Sequence, residues 1–418
     1  MSMNNKSRVV VAGAGLAGLQ FSASLREQGY TGSIVLVGEE SYLPYHRPPL
    51  SKSYLLGLTD EPKLALRPES FYAEKRIQAL LGRRVVALDR ASHRATLDNG
   101  STLDYDHFVF AVGARHRPLP VHGANLRGVQ YLRTLDDARA IKTALATAKN
   151  VVVIGAGFIG LELAAVALKQ RIAVTVIEVA DRPMVRALSP VMAAVFAREH
   201  GRMGVHFRFN SQVLNIVGEA GAVVAVETAE NERVPADAVM IGIGVIPNAE
   251  VAGAAELEVN NGIVVDELLR TNDPDVSAIG DCAAHPNSFA DGQRLRLESV
   301  QNAMDQGRCL ASRLVGKPTR YEVVPWFWSD QGDLKLQIAG LTGGCDQVVV
   351  RGDVKSKSCS AFCFKEGRLL GVESVNRSGE HLWARRFIAQ RTALTPDQAA
   401  DGKFDLKQHL ASAVAPQK

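Results

Sequence analysis

No run of apolar residues in this chain approaches the ~20 that a membrane-crossing helix needs, so a membrane-spanning reading is set aside. Cysteine is scarce: five residues (Cys282, Cys309, Cys345, Cys359, Cys363), scattered, with no CxxC pair and no histidine cluster at metal-ligand spacing. The expectation is no disulfide, no zinc and no iron–sulfur cluster. Cys359 and Cys363, in "KSCSAFCF", fall on one face of a strand and read as small buried residues. The net charge of +4 comes without a basic run or interleaved aromatics, which gives no case for nucleic acid. The opening "MSMNNKSRVVVAGAG" enters a strand-like segment without the apolar core of a signal peptide, and the expected location is the cytoplasm.

What remains is the composition of a soluble globular protein, 46% hydrophobic and 22% charged, and 418 residues are too many for one ordinary core. Two segments repeat one pattern. "SRVVVAGAGLAGLQFSASLREQGYTGSIVLVGEE" has a β-branched run, then Gly13, Gly15 and Gly18, a helical stretch and a second β-run ending in Glu39. "NVVVIGAGFIGLELAAVALKQRIAVTVIEVADR" does the same with Gly155, Gly157, Gly160 and Glu178. Each predicts a βαβ unit with G-x-G-x-x-G at its first strand-to-helix junction.

In such a turn the first glycine permits the tight bend, the second lets a pyrophosphate approach the backbone, and the third lets helix and strand pack closely. Free N–H groups at the helix N-terminus receive the phosphates, and the acid closing the second strand accepts from a ribose hydroxyl. Two complete copies predict two dinucleotides exchanging a hydride. Glu178 favours the bare 2′-hydroxyl of NADH, although Arg182 and Arg186 follow closely enough to hold a phosphate.

Between and beyond the repeats, "FVFAVGARHRPLP" and "VMIGIGVIPNAE", the latter holding Gly244, read as strand-to-glycine exits from the two nucleotide units. "RTNDPDVSAIGDCA" reads as a polar turn, a short strand and a helix opened by Gly280 and Asp281. Asp281 is open to two readings, a ribityl or phosphate-side contact and a plain N-cap. From about Val323, short alternating runs predict an antiparallel sheet followed by helices. "YHRPPLSKSYLLG" predicts a stiff turn carrying Arg47 and Lys52, because two adjacent prolines fix the backbone there.

Together "GAGLAG", "RPPLSK", "YLRTLDDA", "GAGFIGLE", "GIGVIPN", "AIGDCA", "ESVQNA" and "PWFWSDQG" resemble the FAD-dependent NADH:ferredoxin reductases of bacterial oxygenase systems, in the same order over nearly the whole chain. The resemblance implies a glutathione-reductase-like α/β fold of two Rossmann-like dinucleotide-binding domains plus a C-terminal α+β domain over the flavin. The implied division is 1–117 with 248–322 for FAD, 118–247 for NAD, and 323–418. It implies FAD on Gly13, Gly15, Ala17 and Gly18, with Glu39 on the adenosine ribose, Val85 meeting the adenine through its backbone, Arg133 facing the phosphates or adenine, and Asp281 on the ribityl chain. Val300 would offer its N–H to the isoalloxazine, Arg47 and Gly244 join the cofactor-binding set, and Gly155, Gly157, Gly160 and Glu178 would hold NADH.

Lys52 of the resembled family lies near the flavin and stabilises its reduced anion, pairing with Glu162; Trp328, rather than Trp326, lies beside the flavin on the partner side. Plain alternatives stay open, a surface lysine in a turn and an aromatic core. Related disulfide reductases carry a CxxxxC pair, and related NADH oxidases and peroxidases a single redox cysteine, where this chain reads "LPYHRPPLSK". With no thiol relay, electrons must pass to something that docks, and a two-iron two-sulfur ferredoxin suits a cofactor that takes two electrons and releases them singly. Arg308, Arg313, Lys355, Lys357, Lys365, Arg385 and Arg386 are candidate docking charges for an acidic partner, the interface being small, under about 1,200 Å². A monomer is expected. A rubredoxin reductase, an NADH oxidase or quinone reductase, and a signalling flavoprotein of the apoptosis-inducing-factor group are the rival readings.

Overall fold

A computed structural model describes residues 7–414, and the leaderless reading of the first six residues lies outside them. Contacts divide the chain into two compact units. One comprises the residues up to His46, Glu61–Arg115 and Val245–Pro325; the other comprises Arg47–Asp60, His116–Gly244 and the residues from Trp326 on.

The first unit is built on a five-stranded parallel sheet in the order Val276–Ala278, His107–Phe110, Arg8–Ala12, Ser33–Gly38, Ile77–Leu81. Its central strand is buried on both faces, with Val9, Val10 and Val11 wholly inaccessible, which is why it reads as a continuous β-branched run rather than an alternation. Helix Leu16–Glu27 packs on Val300–Leu314. They approach closely because Gly307 has no side chain: a Cβ there would lie 2.9 Å from the Phe21 nitrogen. A three-stranded antiparallel sheet, Val85–Asp89, Arg94–Leu97 and Thr102–Asp104, completes this unit's main elements.

The second unit repeats the arrangement with a parallel sheet in the order Val205–Arg208, Ala173–Ile177, Asn150–Ile154, Ala238–Ile241, Val129–Tyr131. It also contains a five-stranded antiparallel sheet in the order Trp326–Gln331, Leu334–Gly340, Arg368–Val375, Ser358–Lys365, Gln347–Asp353, followed by helices Ser378–Gln390, Pro396–Ala400 and Leu406–Val414. The alternating runs after Val323 thus form the sheet they predict. Cys359 and Cys363 lie fully buried on Ser358–Lys365.

The proline turn forms a single 3-10 turn, Pro48–Ser51. Its segment is fastened to the second unit by Gln170 Nε2 donating to the Leu55 carbonyl at 2.9 Å and by Lys142 Nζ 4.9 Å from the centre of the Tyr54 ring. One expectation is corrected. Gly280 and Asp281 open no full helix but a one-turn 3-10 segment, Gly280–Cys282, because the chain must return at once into the strand Ala283–Pro286.

Candidate functional site

The two glycine turns solve the same steric problem twice. In the first, a Cβ on Gly13 would fall 2.1 Å from the Ala111 carbonyl oxygen, and one on Gly18 would fall 2.1 Å from the Gly13 oxygen. In the second, a Cβ on Gly155 would fall 2.6 Å from the Gly242 oxygen, and one on Gly160 2.1 Å from the Gly155 oxygen. Gly13 and Gly155 also have φ of +115° and +97°, which L side chains rarely adopt.

The middle glycines differ. A Cβ on Gly15 would meet nothing within 4 Å, and one on Gly157 only the Gly242 oxygen at 3.8 Å. Their backbones are extended and ordinary, φ −90° and −78°. Neither is required by the chain's own packing. Both are N-caps of helices, Leu16–Glu27 and Phe158–Lys169, with no side-chain cap bond, so no capping side chain satisfies the first-turn N–H groups. An open-fronted turn lined by uncapped N–H groups fits a pyrophosphate in each unit.

The closing acids sit differently. Glu39 is exposed, 3.6 Å from Arg84. Glu178 bridges back onto its own turn, with one carboxylate oxygen accepting from Ala156 N–H at 2.7 Å and the other from Ala180 N–H at 2.9 Å. Arg182 pairs with Asp181 at 3.0 Å. Arg186 lies by Gly244, where a Cβ would come 3.2 Å from its guanidinium.

The other candidates of the first unit are placed as follows. Ala17 lies on the glycine-turn helix, and a Cβ at Gly280 would come 3.0 Å from its own Cβ. Val85 opens a strand with its side chain in the core. Asp281 lies inside the 3-10 turn rather than at its cap, and its carbonyl accepts from Arg296 at 3.0 Å. Val300 is the first residue of a helix capped by Ser299, a position whose N–H has no intrahelical acceptor.

In the second unit the structure brings Lys52 and Glu162 together, Nζ to Oε2 at 2.7 Å, with Glu162 only 3% exposed. Lys52 also donates to the Pro48 carbonyl at 3.3 Å, so the proline turn holds both ends of its own lysine. Arg47 donates to the Arg133 carbonyl at 2.5 Å, and the Arg133 N–H donates to Asp137, which completes a capping box with Thr134 on helix Leu135–Leu145. Strand Trp326–Gln331 alternates: Trp326, Trp328 and Asp330 line an open groove of about 600 Å³ with Lys335, Gln337, Asn376 and Ser378. Phe327 turns the other way and packs on Phe158, ring centres 4.5 Å apart.

Sequence reasoning missed the hydroxyls around Glu162. Ser51 donates to Oε2, and Ser329 donates to Oε1 at 2.6 Å. The signal was available for Ser329, since alternation within "PWFWSDQG" sets serine opposite the tryptophans; nothing local tells which carboxylate it meets. Among the docking charges, Arg313 is corrected. It is turned inward, donating to the Leu268 carbonyl at 2.9 Å and to Ser277 at 2.6 Å, and burial pulls its pKa down to about 10. Arg385 stacks 4.7 Å over Trp326, Arg386 5.1 Å over Trp383, Arg308 pairs with Asp305 at 2.9 Å, and Lys357 with Asp333 at 2.6 Å. Lys355 and Lys365 are exposed.

Two open-fronted dinucleotide turns, each on its own parallel sheet, define a nicotinamide-dependent flavoprotein oxidoreductase. Residues 7–307 match the family described as pyridine nucleotide-disulphide oxidoreductase, and residues 326–410 the family described as reductase C-terminal. The chain belongs to the pyridine nucleotide-disulphide oxidoreductase family, whose cofactors are FAD and NAD(H). It is 51% identical to rhodocoxin reductase of Rhodococcus erythropolis over 96% of this chain and 94% of that one. Two solved structures resemble it closely. The ferredoxin reductase for the CYP199A2 system from Rhodopseudomonas palustris has a TM-score of 0.94 at 46% identity, covering 96% and 99% of the two chains. The covalent putidaredoxin reductase–putidaredoxin complex has a TM-score of 0.96 at 40% identity, covering 99% and 100%. Among the described residues no helix is long and apolar enough to cross a membrane, and no cluster of side chains is arranged to hold a metal.

Proposed function

We propose that this protein is a cytoplasmic, monomeric reductase that moves electrons from NADH through FAD to a small two-iron two-sulfur ferredoxin serving a bacterial oxygenase. Gly13, Gly15, Ala17, Gly18, Glu39, Arg47, Val85, Arg133, Asp281 and Val300 would hold FAD, and Gly155, Gly157, Gly160, Glu178 and Gly244 would hold NADH. The corresponding division is 1–117 with 248–322, 118–247, and 323–418. Bound FAD supplies the chemistry, accepting two electrons with a hydride and giving them up one at a time.

The protein's part is position and charge. Lys52 provides the positive charge that favours the reduced cofactor, Glu162 fixes that ammonium, and Trp328 faces the partner. The observation that carries the acceptor assignment is the fate of the thiols. Cysteine is absent before position 282. Cys282, Cys359 and Cys363 are wholly buried, and burial pushes the Cys282 thiol up to about 11. Cys309 and Cys345 are partly buried, and burial pushes the Cys309 thiol up. With no cysteine in the segment where the disulfide reductases carry their pair, direct transfer to a docked protein is the route this reading favours.

The test is NADH-driven reduction of cytochrome c by the purified protein, with and without two-iron two-sulfur ferredoxins, at low and high salt. Acceleration by orders of magnitude with one ferredoxin, suppressed by salt, supports the assignment. Equal NADH consumption with oxygen or a quinone alone would overturn it in favour of an oxidase or quinone reductase.

A further inference from the structure

Glu162 is a nearly inaccessible carboxylate, and a buried charged group needs a partner at each of its oxygens. Lys52 and Ser51 occupy Oε2, which leaves Oε1 to be satisfied from another element. Ser329 donates to Oε1 at 2.6 Å. Behind it stands a chain of side chains that determines where the serine hydrogen points. Gln331 Nε2 donates to Ser329 Oγ at 3.1 Å, and Gln331 Oε1 faces His200 Nε2 at 2.8 Å.

Ser329, Gln331 and His200 are all fully buried. Burial lowers the His200 pKa, so the ring is neutral and carries one proton. Its Nδ1 has no partner, which leaves that proton on Nε2, donated to Gln331. The amide is thereby oriented with its nitrogen toward Ser329, and the serine hydroxyl, already an acceptor, has one direction in which to donate. Every link donates toward Glu162.

We infer that Ser329, oriented by Gln331 and His200, is a positioning residue that holds the Glu162 carboxylate aimed at Lys52. The inference rests on the role proposed above for the Lys52–Glu162 pair. Lys52 reaches Glu162 from the proline turn, and helix Pro190–Met203 contributes His200, through Gln331. Asp330, next in sequence to Ser329, lies in the groove with Trp328 on the opposite face of the strand.

The test is the midpoint potential of the bound flavin, together with its rate of bleaching by NADH in rapid mixing, using the FAD-loaded protein and its Ser329→Ala, Ser329→Thr, Gln331→Leu and Glu162→Gln variants. A carboxylate no longer held at Oε1 lets Lys52 leave its place, so Ser329→Ala should lower the potential and slow bleaching about tenfold. Ser329→Thr restores both, and Gln331→Leu moves them the same way by less. Potentials and rates of Ser329→Ala and Gln331→Leu equal to those of the parent, while Glu162→Gln alters both, would overturn the inference. A Glu162→Gln variant indistinguishable from the parent would instead remove the role of the ion pair itself, and this inference with it.

Discussion

Glu178 accepts a hydrogen bond from the N–H of Ala156, at 2.7 Å, across the turn it closes from the far end of the next strand. The acid that would meet the adenosine ribose of NADH therefore also holds the phosphate turn in shape. Glu178→Ala should raise KM for NADH about tenfold, the loss of one charge-assisted bond, with a smaller change in kcat. Because the carboxylate that repels a 2′-phosphate is gone, the preference for NADH over NADPH should narrow. Steady-state kinetics with both donors checks this.

The glycines of one turn should separate folding from binding. Gly18→Ala forces a Cβ to within 2.1 Å of a backbone oxygen and should cost about 1–3 kcal/mol of stability. Gly15→Ala meets nothing in the chain and should change the urea midpoint of the FAD-free protein little, within about 0.5 kcal/mol. Its effect should appear as lost FAD, read from the ratio of visible to ultraviolet absorbance after purification.

Arg351 is a buried guanidinium 3.0 Å from Glu380, and it also donates to the carbonyls of Ala399, Asp401, Gly402 and Phe404. One side chain gathers the turn between the last two helices. Arg351→Met leaves Glu380 with only Arg377 and frees those carbonyls, so it should cost about 3–5 kcal/mol. Limited proteolysis should then cut first between Ala399 and Phe404.

His107 is fully buried beside Ser277 and Arg313, and burial together with the Arg313 charge pulls its pKa down to about 3; burial alone pulls His285 to about 4. Both rings are neutral in the folded protein while the unfolded chain protonates them near ~6.5. Their contribution is intact above that value and is lost as pH falls from about 6.5 toward 4 and 3. Each should remove up to about 2 kcal/mol by pH 5. Urea midpoints at pH 7 and 5 should show the drop, and His107→Asn should lessen it.

Much of this was legible in the chain. The two βαβ units were readable because their glycines and β-branched runs are imposed by local sterics: Gly18 must touch Gly13, five residues away, and Val9 to Val11 are buried on both faces. The C-terminal sheet was readable from period-two alternation. Arg313 was misjudged because an arginine on a helix gives no local sign of being turned inward, and its acceptors, Leu268 and Ser277, come from distant loops and strands. The Gly280–Asp281 turn was read one element too long, since only the strand that follows it decides where the turn must stop. The hydroxyls on Glu162 depend on contacts across more than a hundred residues, which no spacing records.

Strand Trp326–Gln331 carries two jobs on opposite faces, Trp326, Trp328 and Asp330 toward the groove, Ser329 and Gln331 toward Glu162. Substitutions on the outer face can reshape the groove while the carboxylate is left undisturbed. A single-residue insertion or deletion in the strand cannot, because it would exchange the faces, sending tryptophan into the polar network and serine into the groove. A lineage of such proteins can therefore remodel the groove by replacing the three outward residues, but the length of the segment is closed to variation.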